Sequence, residues 1–211
     1  MATFFDPKND FIVRDVPKGG GTTIRSWVGV YLLKRELTLR PYGYSDYLLN
    51  VDPHFSHIHT MGYKIDIYSE FSGESICITR DPVERFISCY RDKVIKEGML
   101  RISIDDLLDN WDSIIVNDDN HSGWDHEYNY AWYHFAPQVH QLGPSRDNYT
   151  KVFDISEMST GVRSYLEDKW KTPLPELHTR NSKSGRKIVL TEDQIRRVKE
   201  IYKDDYQAGW C

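Results

Sequence analysis

A lysine, three consecutive glycines and two threonines stand together near the start of the chain, as Lys18, Gly19, Gly20, Gly21, Thr22 and Thr23. Glycine loses more backbone freedom on folding than any other residue, so a run of glycines is costly unless something approaches the backbone closely. Glycines let successive N–H groups turn toward one anion, while lysine adds a full charge and threonine adds hydroxyl donors. The segment therefore predicts a phosphate-binding loop, with a merely flexible turn as the alternative.

The order of these residues differs from that of the Walker A phosphate loop. Walker A has the pattern GxxxxGK[ST], in which lysine follows the glycines and a hydroxyl residue for magnesium comes directly after it. Here the lysine precedes the glycines, and the chain contains no GK[ST] sequence. The loop therefore predicts phosphate binding without the hydroxyl that holds magnesium in Walker A proteins.

Two segments resemble the nucleotide motifs of sulfotransferases, which use 3′-phosphoadenosine 5′-phosphosulfate (PAPS). PKGGGTT, residues 17–23, resembles their 5′-phosphosulfate loop, and ITRDPVERFISCYRDKV, residues 78–94, resembles their 3′-phosphate motif. By pattern the chain is similar to the carbohydrate branch, which includes the chondroitin, HNK-1 and heparan 2-O enzymes, from about Phe11 to Trp210. The resemblance implies PAPS as donor, a hydroxyl-bearing acceptor that is a glycan or small molecule, and no required metal.

The resemblance assigns the 3′-phosphate of the donor to Arg80 and Ser88. Arg80 ends a predicted strand, at the sheet edge where ligands of open α/β domains bind. A guanidinium group can hold a phosphate through two parallel hydrogen bonds, and Ser88 follows two helical turns later. The alternative is that Arg80 pairs with Asp81 or Glu84.

Three further residues of the second motif have open roles. Arg85 and Arg91 flank Ser88 and either assist the phosphate or form a solvated helix face together with Asp92. Cys89 has no partner that indicates nucleophilic chemistry, so we expect it in the core.

The reaction that the resemblance implies is in-line transfer of a sulfuryl group to an acceptor hydroxyl. Such a transfer depends on positioning and on stabilising the charge that builds on the leaving oxygen. Lys18 is the candidate for that stabilisation, together with the N–H groups of residues 20–23.

Three histidines precede the second motif and include a candidate general base. The heparan 2-O branch has a His-x-His element containing its catalytic histidine, and HIH, residues 57–59, resembles that element. Either His57 or His59 is therefore the predicted base, since an imidazole titrates near neutral pH. With His54 the pair could instead bind a metal, or all three could be loop residues.

Two polar segments are candidates for contacts with substrates. Residues 121–135 are rich in aromatic side chains, which either stack on an acceptor ring or cover the edge of a core. The basic stretch 178–187 contains Lys183 and Arg186, which either close over the nucleotide or belong to a solvated linker.

The motifs must be positioned by an alternation of strands and helices. Short runs rich in β-branched residues predict strands over residues 11–16, 75–80 and 149–155. Helices are predicted from an N-cap at Thr22 or Thr23, from Asp81 with Pro82 in the first position, over about 156–170, and from Thr191.

Together with the resemblance, this alternation predicts an α/β fold: a P-loop-like three-layer domain with a central, mainly parallel sheet flanked by helices. We expect one sulfotransferase-like domain over residues 1–211, with excursions over about 40–63 and 118–148 that form the acceptor side.

Composition limits the classes of function. A net charge of −5 argues against a general nucleic-acid binder, and no apolar stretch is long enough for a membrane span. Three cysteines without CxxC spacing, Cys77, Cys89 and Cys211, form neither a disulfide framework nor a zinc motif. We therefore expect a cytoplasmic enzyme that binds neither nucleic acid nor membrane.

The sequence favours a PAPS-dependent sulfotransferase. Two other functions stay open: an ATP-dependent nucleotide or small-molecule kinase, which would need magnesium, and a non-catalytic binding module built on a nucleotide-binding fold.

Overall fold

The computed structural model describes residues 2–6, 8–33, 71–98, 100–116, 133–176 and 187–211. The strands are β1 (Ala2–Asp6), β2 (Phe11–Asp15), β3 (Glu74–Thr79) and β4 (Lys151–Asp154). The α-helices of five or more residues in these ranges are α1 (Gly21–Leu33), α2 (Pro82–Cys89), α3 (Ile104–Asp109), α4 (Gln138–Leu142), α5 (Arg163–Trp170), α6 (Glu192–Ile201) and α7 (Lys203–Gln207). The chain divides into two compact units, Met1–Thr79 with Arg146–Asn181, and Arg80–Ser145 with Ser182–Cys211.

The first unit contains a four-stranded sheet in the order β1-β2-β3-β4. Strands β2, β3 and β4 run parallel, and β1 pairs antiparallel with β2. The chain is thus a mixed α/β protein with a mostly parallel sheet, as the sequence predicts. Because β2 and β3 are neighbouring parallel strands, their carboxyl ends lie at the same edge of the sheet, and the glycine loop follows β2 there.

The core of the first unit lies between the sheet and its helices. Alternate residues of β2 and β3, such as Val13 and Ile78, share one cluster with Trp27 of α1 and Trp170 of α5. The period-two alternation of strands and the helical spacing of α1 place these apolar side chains on facing surfaces. Trp27 Nε1 also donates to the carbonyl of Pro175 at 3.0 Å, which fixes α1 against the segment after α5.

The second unit has a separate aromatic core. Phe86 of α2, Trp111 and Phe135 pack edge to face, with ring centroids about 6 Å apart, and Trp111 also contacts Tyr202. Cys89 is buried in this cluster, which confirms the sequence expectation. The aromatic contacts fix α2, the helix that begins directly after the Arg80 position.

Local capping signals set two helix starts as predicted. Asp81 accepts a hydrogen bond from the N–H of Glu84 at 2.9 Å, and Pro82 is the first residue of α2. Thr191 and Gln194 form a reciprocal capping box at the start of α6.

Three features differ from the sequence expectations. Helix α1 begins at Gly21, so the N-cap prediction of Thr22 or Thr23 is wrong: Gly20 already accepts hydrogen bonds from Thr23 and Ile24. Strand β1 was not predicted. The helix expected over about 156–170 begins with a 3₁₀ turn at Ile155–Glu157 and a π-helical turn at Met158–Val162 before α5.

Across the described ranges, no helix is both long and apolar enough to cross a membrane.

Candidate functional site

The loop between β2 and α1 presents backbone N–H groups at a helix N-terminus. The N–H of Gly19 donates to the carbonyl of Val16 at 2.8 Å and closes a tight turn in which Lys18 is one of the two central residues. Within the described part of the chain, the N–H groups of Gly20, Gly21 and Thr22 have no backbone acceptor. These donors and the positive end of the α1 dipole favour an anion at this position.

Two residues of the loop adopt left-handed backbone conformations. Gly20 has φ +98°, which glycine tolerates readily, and Lys18 has φ +68°, which costs a residue with a Cβ atom about 1–3 kcal/mol. No sequence pattern predicted this strain at Lys18. Strain of this kind concentrates at functional sites, so it is consistent with a lysine held in place for a charged ligand.

The three glycines are also required by packing inside the protein. A Cβ atom on Gly19 would lie 2.9 Å from the Val16 carbonyl, and one on Gly20 would lie 2.1 Å from the Met158 methyl group. A Cβ atom on Gly21 would lie 2.1 Å from a carboxylate oxygen of the buried Asp15. The close approach that the glycine run predicts therefore includes the protein's own side chains, in addition to any anion at the N–H groups.

This packing gives the first prediction. Gly20→Ala is expected to lower the free energy of unfolding by about 2–3 kcal/mol, because φ +98° strains an alanine and the buried Met158 methyl group must move aside for the new Cβ atom. Gly98→Ala is the control: its φ of +68° is also positive, but a Cβ there has open space. Urea denaturation of both variants measures the difference. An equal loss of about 1 kcal/mol in both would contradict the packing argument.

Arg80, the residue after β3, is held through both its backbone groups. Its N–H donates to Gln138 Oε1 at 3.1 Å, and its carbonyl accepts from Gln138 Nε2 at 2.9 Å. Its side chain pairs with Glu84, with Nε 3.5 Å from Oε2, so one of the two pairings left open by the sequence is present. Glu84 is 64% exposed, and an exposed pair of this type is worth less than about 1 kcal/mol.

Ser88 lies half-buried on α2, two turns after Arg80. Arg91 is also half-buried and lies on the π-helical continuation of α2, Tyr90–Lys96. The second unit thus carries a guanidinium and a hydroxyl on one short stretch that begins where β3 ends.

The sequence profile of the sulfotransferase family matches residues 1–208. The chain belongs to the sulfotransferase family. No curated protein and no solved structure matches it significantly. The family supports sulfuryl transfer as the general activity, and the resemblance of the two motifs supports the same assignment.

In this sulfotransferase, Arg85 is a buried structural residue, which excludes the solvated helix face, one of the two alternatives that the sequence left open for it. Its side chain is fully buried. The guanidinium donates to the carbonyl oxygens of His134 at 3.2 Å and Ala136 at 2.5 Å, and it lies 5.1 Å from the ring centre of Tyr202. Arg85 therefore anchors the segment that leads into α4.

Sequence reasoning missed two buried polar residues of this sulfotransferase, Gln138 and Asp205. Asp205 accepts hydrogen bonds from the N–H groups of Gln138 at 2.9 Å and Val139 at 2.8 Å. Burial raises the pKa of the Asp205 carboxyl, while these N–H donors and the charge of Arg85 act in the opposite direction. Because the partners are more than sixty positions apart in the chain, no local spacing could have indicated the contact.

Several predicted site residues lie outside the described residues: His57 and His59, together with Lys183 and Arg186 of the basic stretch. The aromatic residues 121–132 also lie outside them, whereas Phe135 belongs to the core of the second unit. In the ranges that the structure describes, no group of three or more His, Cys, Asp or Glu residues could hold a metal ion.

Proposed function

We propose that this sulfotransferase moves a sulfuryl group from PAPS to a hydroxyl group of a carbohydrate acceptor. The loop of residues 18–23 binds the 5′-phosphosulfate end of the donor, and Arg80 and Ser88 bind its 3′-phosphate. A smaller hydroxyl-bearing molecule is the other acceptor class, and the carbohydrate is preferred because the motifs resemble the carbohydrate branch.

The observation that carries the proposal is the geometry of the glycine loop in a chain of this family. The N–H groups of Gly20, Gly21 and Thr22, which have no backbone acceptor within the described ranges, stand at the N-terminus of α1, beside the strained Lys18. An anion there gains hydrogen bonds and the dipole field together. The P-loop-like character of the fold is part of this proposal, since strand, glycine turn and helix follow one another directly.

The proposed chemistry is a single in-line displacement. The acceptor oxygen forms a bond to sulfur while the bond between sulfur and the 5′-phosphate oxygen breaks. The sulfate ester and 3′-phosphoadenosine 5′-phosphate leave as products, and the hydroxyl proton goes to a base. Lys18 stabilises the negative charge that develops on the leaving oxygen, assisted by the loop N–H groups. No step of this scheme requires a metal.

His57 or His59 is the proposed base that accepts the hydroxyl proton. The support for this role is the resemblance of the HIH element to the catalytic histidine element of the heparan 2-O branch. A neutral imidazole can take the proton as the acceptor oxygen attacks.

Binding of the spent donor tests the proposal. Arg80→Ala is expected to weaken the binding of 3′-phosphoadenosine 5′-phosphate by about 2 kcal/mol, roughly 30-fold, because a charged contact to the 3′-phosphate is lost. Calorimetric titration of wild type and variant measures this change. Arg101→Ala, at an exposed arginine of the same unit, serves as the control and should bind like wild type.

ATP with magnesium is titrated in parallel. The proposal stands if the spent donor binds at micromolar or lower concentration and ATP does not compete. The kinase alternative would instead be supported if ATP bound tightly and the 3′-phosphate made no difference to nucleotide affinity. The non-catalytic module would be supported if the spent donor bound but no sulfuryl group was transferred from PAPS to any of a panel of saccharides and phenols.

A further inference from the structure

The side chain of Gln138 satisfies both backbone groups of one residue in the second unit. Its Oε1 accepts from the N–H of Arg80 at 3.1 Å, and its Nε2 donates to the carbonyl of Arg80 at 2.9 Å. The second proton of the same Nε2 goes to the carbonyl of Trp210 at 2.9 Å. Gln138 is fully buried, so both amide donors and the amide oxygen are used inside the protein.

The backbone of Gln138 is fixed in turn by Asp205. Both carboxylate oxygens accept from the start of α4, one from Gln138 N and the other from Val139 N. Asp205 is itself fully buried, and Trp210, which closes the amide network, donates its N–H to the Asp205 carbonyl at 2.8 Å. The amide of Gln138 therefore has a single available position.

Holding the two backbone groups of Arg80 has a specific geometric consequence. The N–H belongs to the peptide before Arg80 and the carbonyl to the peptide after it, so fixing both fixes φ and ψ of this residue. Those angles set the direction of the Cα–Cβ bond and hence the region that the guanidinium reaches. Arg80 follows the last residue of β3, where the strand ladder no longer supplies these hydrogen bonds.

We infer that Gln138 is a positioning residue for the donor, which aims Arg80 at the 3′-phosphate by holding its backbone. The inference rests on the proposed function, because it assigns Arg80 to that phosphate. It extends the site to a buried amide and carboxylate that contact no substrate. It predicts that loss of Gln138 removes the enzyme's preference for nucleotides carrying a 3′-phosphate.

The test compares 3′-phosphoadenosine 5′-phosphate with adenosine 5′-phosphate, which differs only in lacking the 3′-phosphate. Direct calorimetric titration measures the affinity of the ligand that binds more tightly, and a competition titration measures the affinity of the weaker one. Gln138→Met keeps the length of the side chain and removes its hydrogen bonds. We expect it to weaken binding of the bisphosphate about tenfold or more and to leave binding of the monophosphate unchanged.

Gln141→Met is the matched control. Gln141 lies on the same helix and is also buried, and its Nε2 donates to the carbonyl of Tyr133 at 2.9 Å, so it contacts a different segment. Its substitution also removes a buried amide hydrogen bond from this helix, but it should keep the ratio of the two affinities. If Gln138→Met does not fold, Gln138→Asn replaces it, since an amide one methylene shorter cannot reach both groups of Arg80.

A double-mutant cycle completes the experiment. In the Arg80→Ala background, Gln138→Met should cause no further loss of bisphosphate affinity, because the residue it positions has lost its guanidinium. Equal weakening of both nucleotides, or additive losses in the cycle, would overturn the inference and leave the proposed function intact. If wild type itself does not prefer the bisphosphate, the proposed 3′-phosphate site fails and the inference fails with it.

Discussion

Replacing Lys18 with alanine is expected to lower kcat for sulfuryl transfer by about 10²- to 10³-fold. Its ammonium group is the full positive charge proposed to face the leaving oxygen, where negative charge develops only as the bond to sulfur breaks. Affinity for the spent donor should fall by a smaller factor, because an interaction that strengthens in the transition state affects kcat more than binding. Steady-state kinetics with PAPS and titration with 3′-phosphoadenosine 5′-phosphate separate the two effects.

The left-handed backbone at Lys18 permits a second, sharper variant. Lys18→Gly removes the same ammonium group, but glycine fits φ +68° without the penalty that alanine carries. We expect it to be as inactive as Lys18→Ala and about 1 kcal/mol more stable. Lys8→Ala, at an exposed lysine of the same unit, should retain full activity. If Lys18→Gly keeps more than about a tenth of wild-type kcat, the role assigned to this charge is wrong.

The elements that carry the two motifs could be predicted because their signals are local. The start of α2 is encoded within four residues: Asp81 caps the first turn, and Pro82 supplies a suitable φ where its missing N–H costs nothing. Strand β3 was predicted from a short buried run that ends at Arg80. The positions of the loop and of Arg80 at the carboxyl ends of β2 and β3 follow from these same signals.

The contacts that hold the site could not be predicted, because they join residues far apart in the chain. The Met158 methyl group occupies the space that a Cβ atom on Gly20 would need, and the side chain of Gln138 holds the backbone of Arg80. Strand β1 pairs antiparallel with β2 across a short turn, and its pairing depends on an available sheet edge. The glycine run illustrates the difficulty: its composition predicted close approach, but only the fold shows that protein side chains make part of that approach.

Arg85 shows how a motif can mislead about an individual residue. In the sequence, its place between Arg80 and Ser88 allowed either a phosphate contact or a solvated face. In the structure, its guanidinium holds carbonyl oxygens of residues 134–136, a segment some fifty positions away in the chain. A charge this deeply buried remains favourable only where its N–H groups are hydrogen-bonded.

Arg85→Met is accordingly expected to lower the free energy of unfolding by about 3–5 kcal/mol. The substitution fills much of the space but removes the guanidinium donor from the carbonyl oxygen of Ala136, and it leaves that of His134 with the weak thiol donor of Cys89 at 3.0 Å. It also removes the positive charge that favours the ionised form of the buried Asp205. Arg85→Lys should recover only part of the loss, since one ammonium group cannot reproduce the fork of a guanidinium. Urea denaturation, monitored by tryptophan fluorescence, measures the free energy of unfolding of both variants.

Arg196→Ala is the control. Arg196 is exposed and pairs with the nearby, exposed Asp193, so its loss should change stability by no more than about 0.5 kcal/mol. The same variants separate structure from binding. Folded Arg85→Lys should bind 3′-phosphoadenosine 5′-phosphate as wild type does, because Arg85 makes its contacts inside the second unit. A loss of donor affinity with stability unchanged would instead place Arg85 at the 3′-phosphate, beside Arg80, and would show that the buried contacts give way when the donor binds.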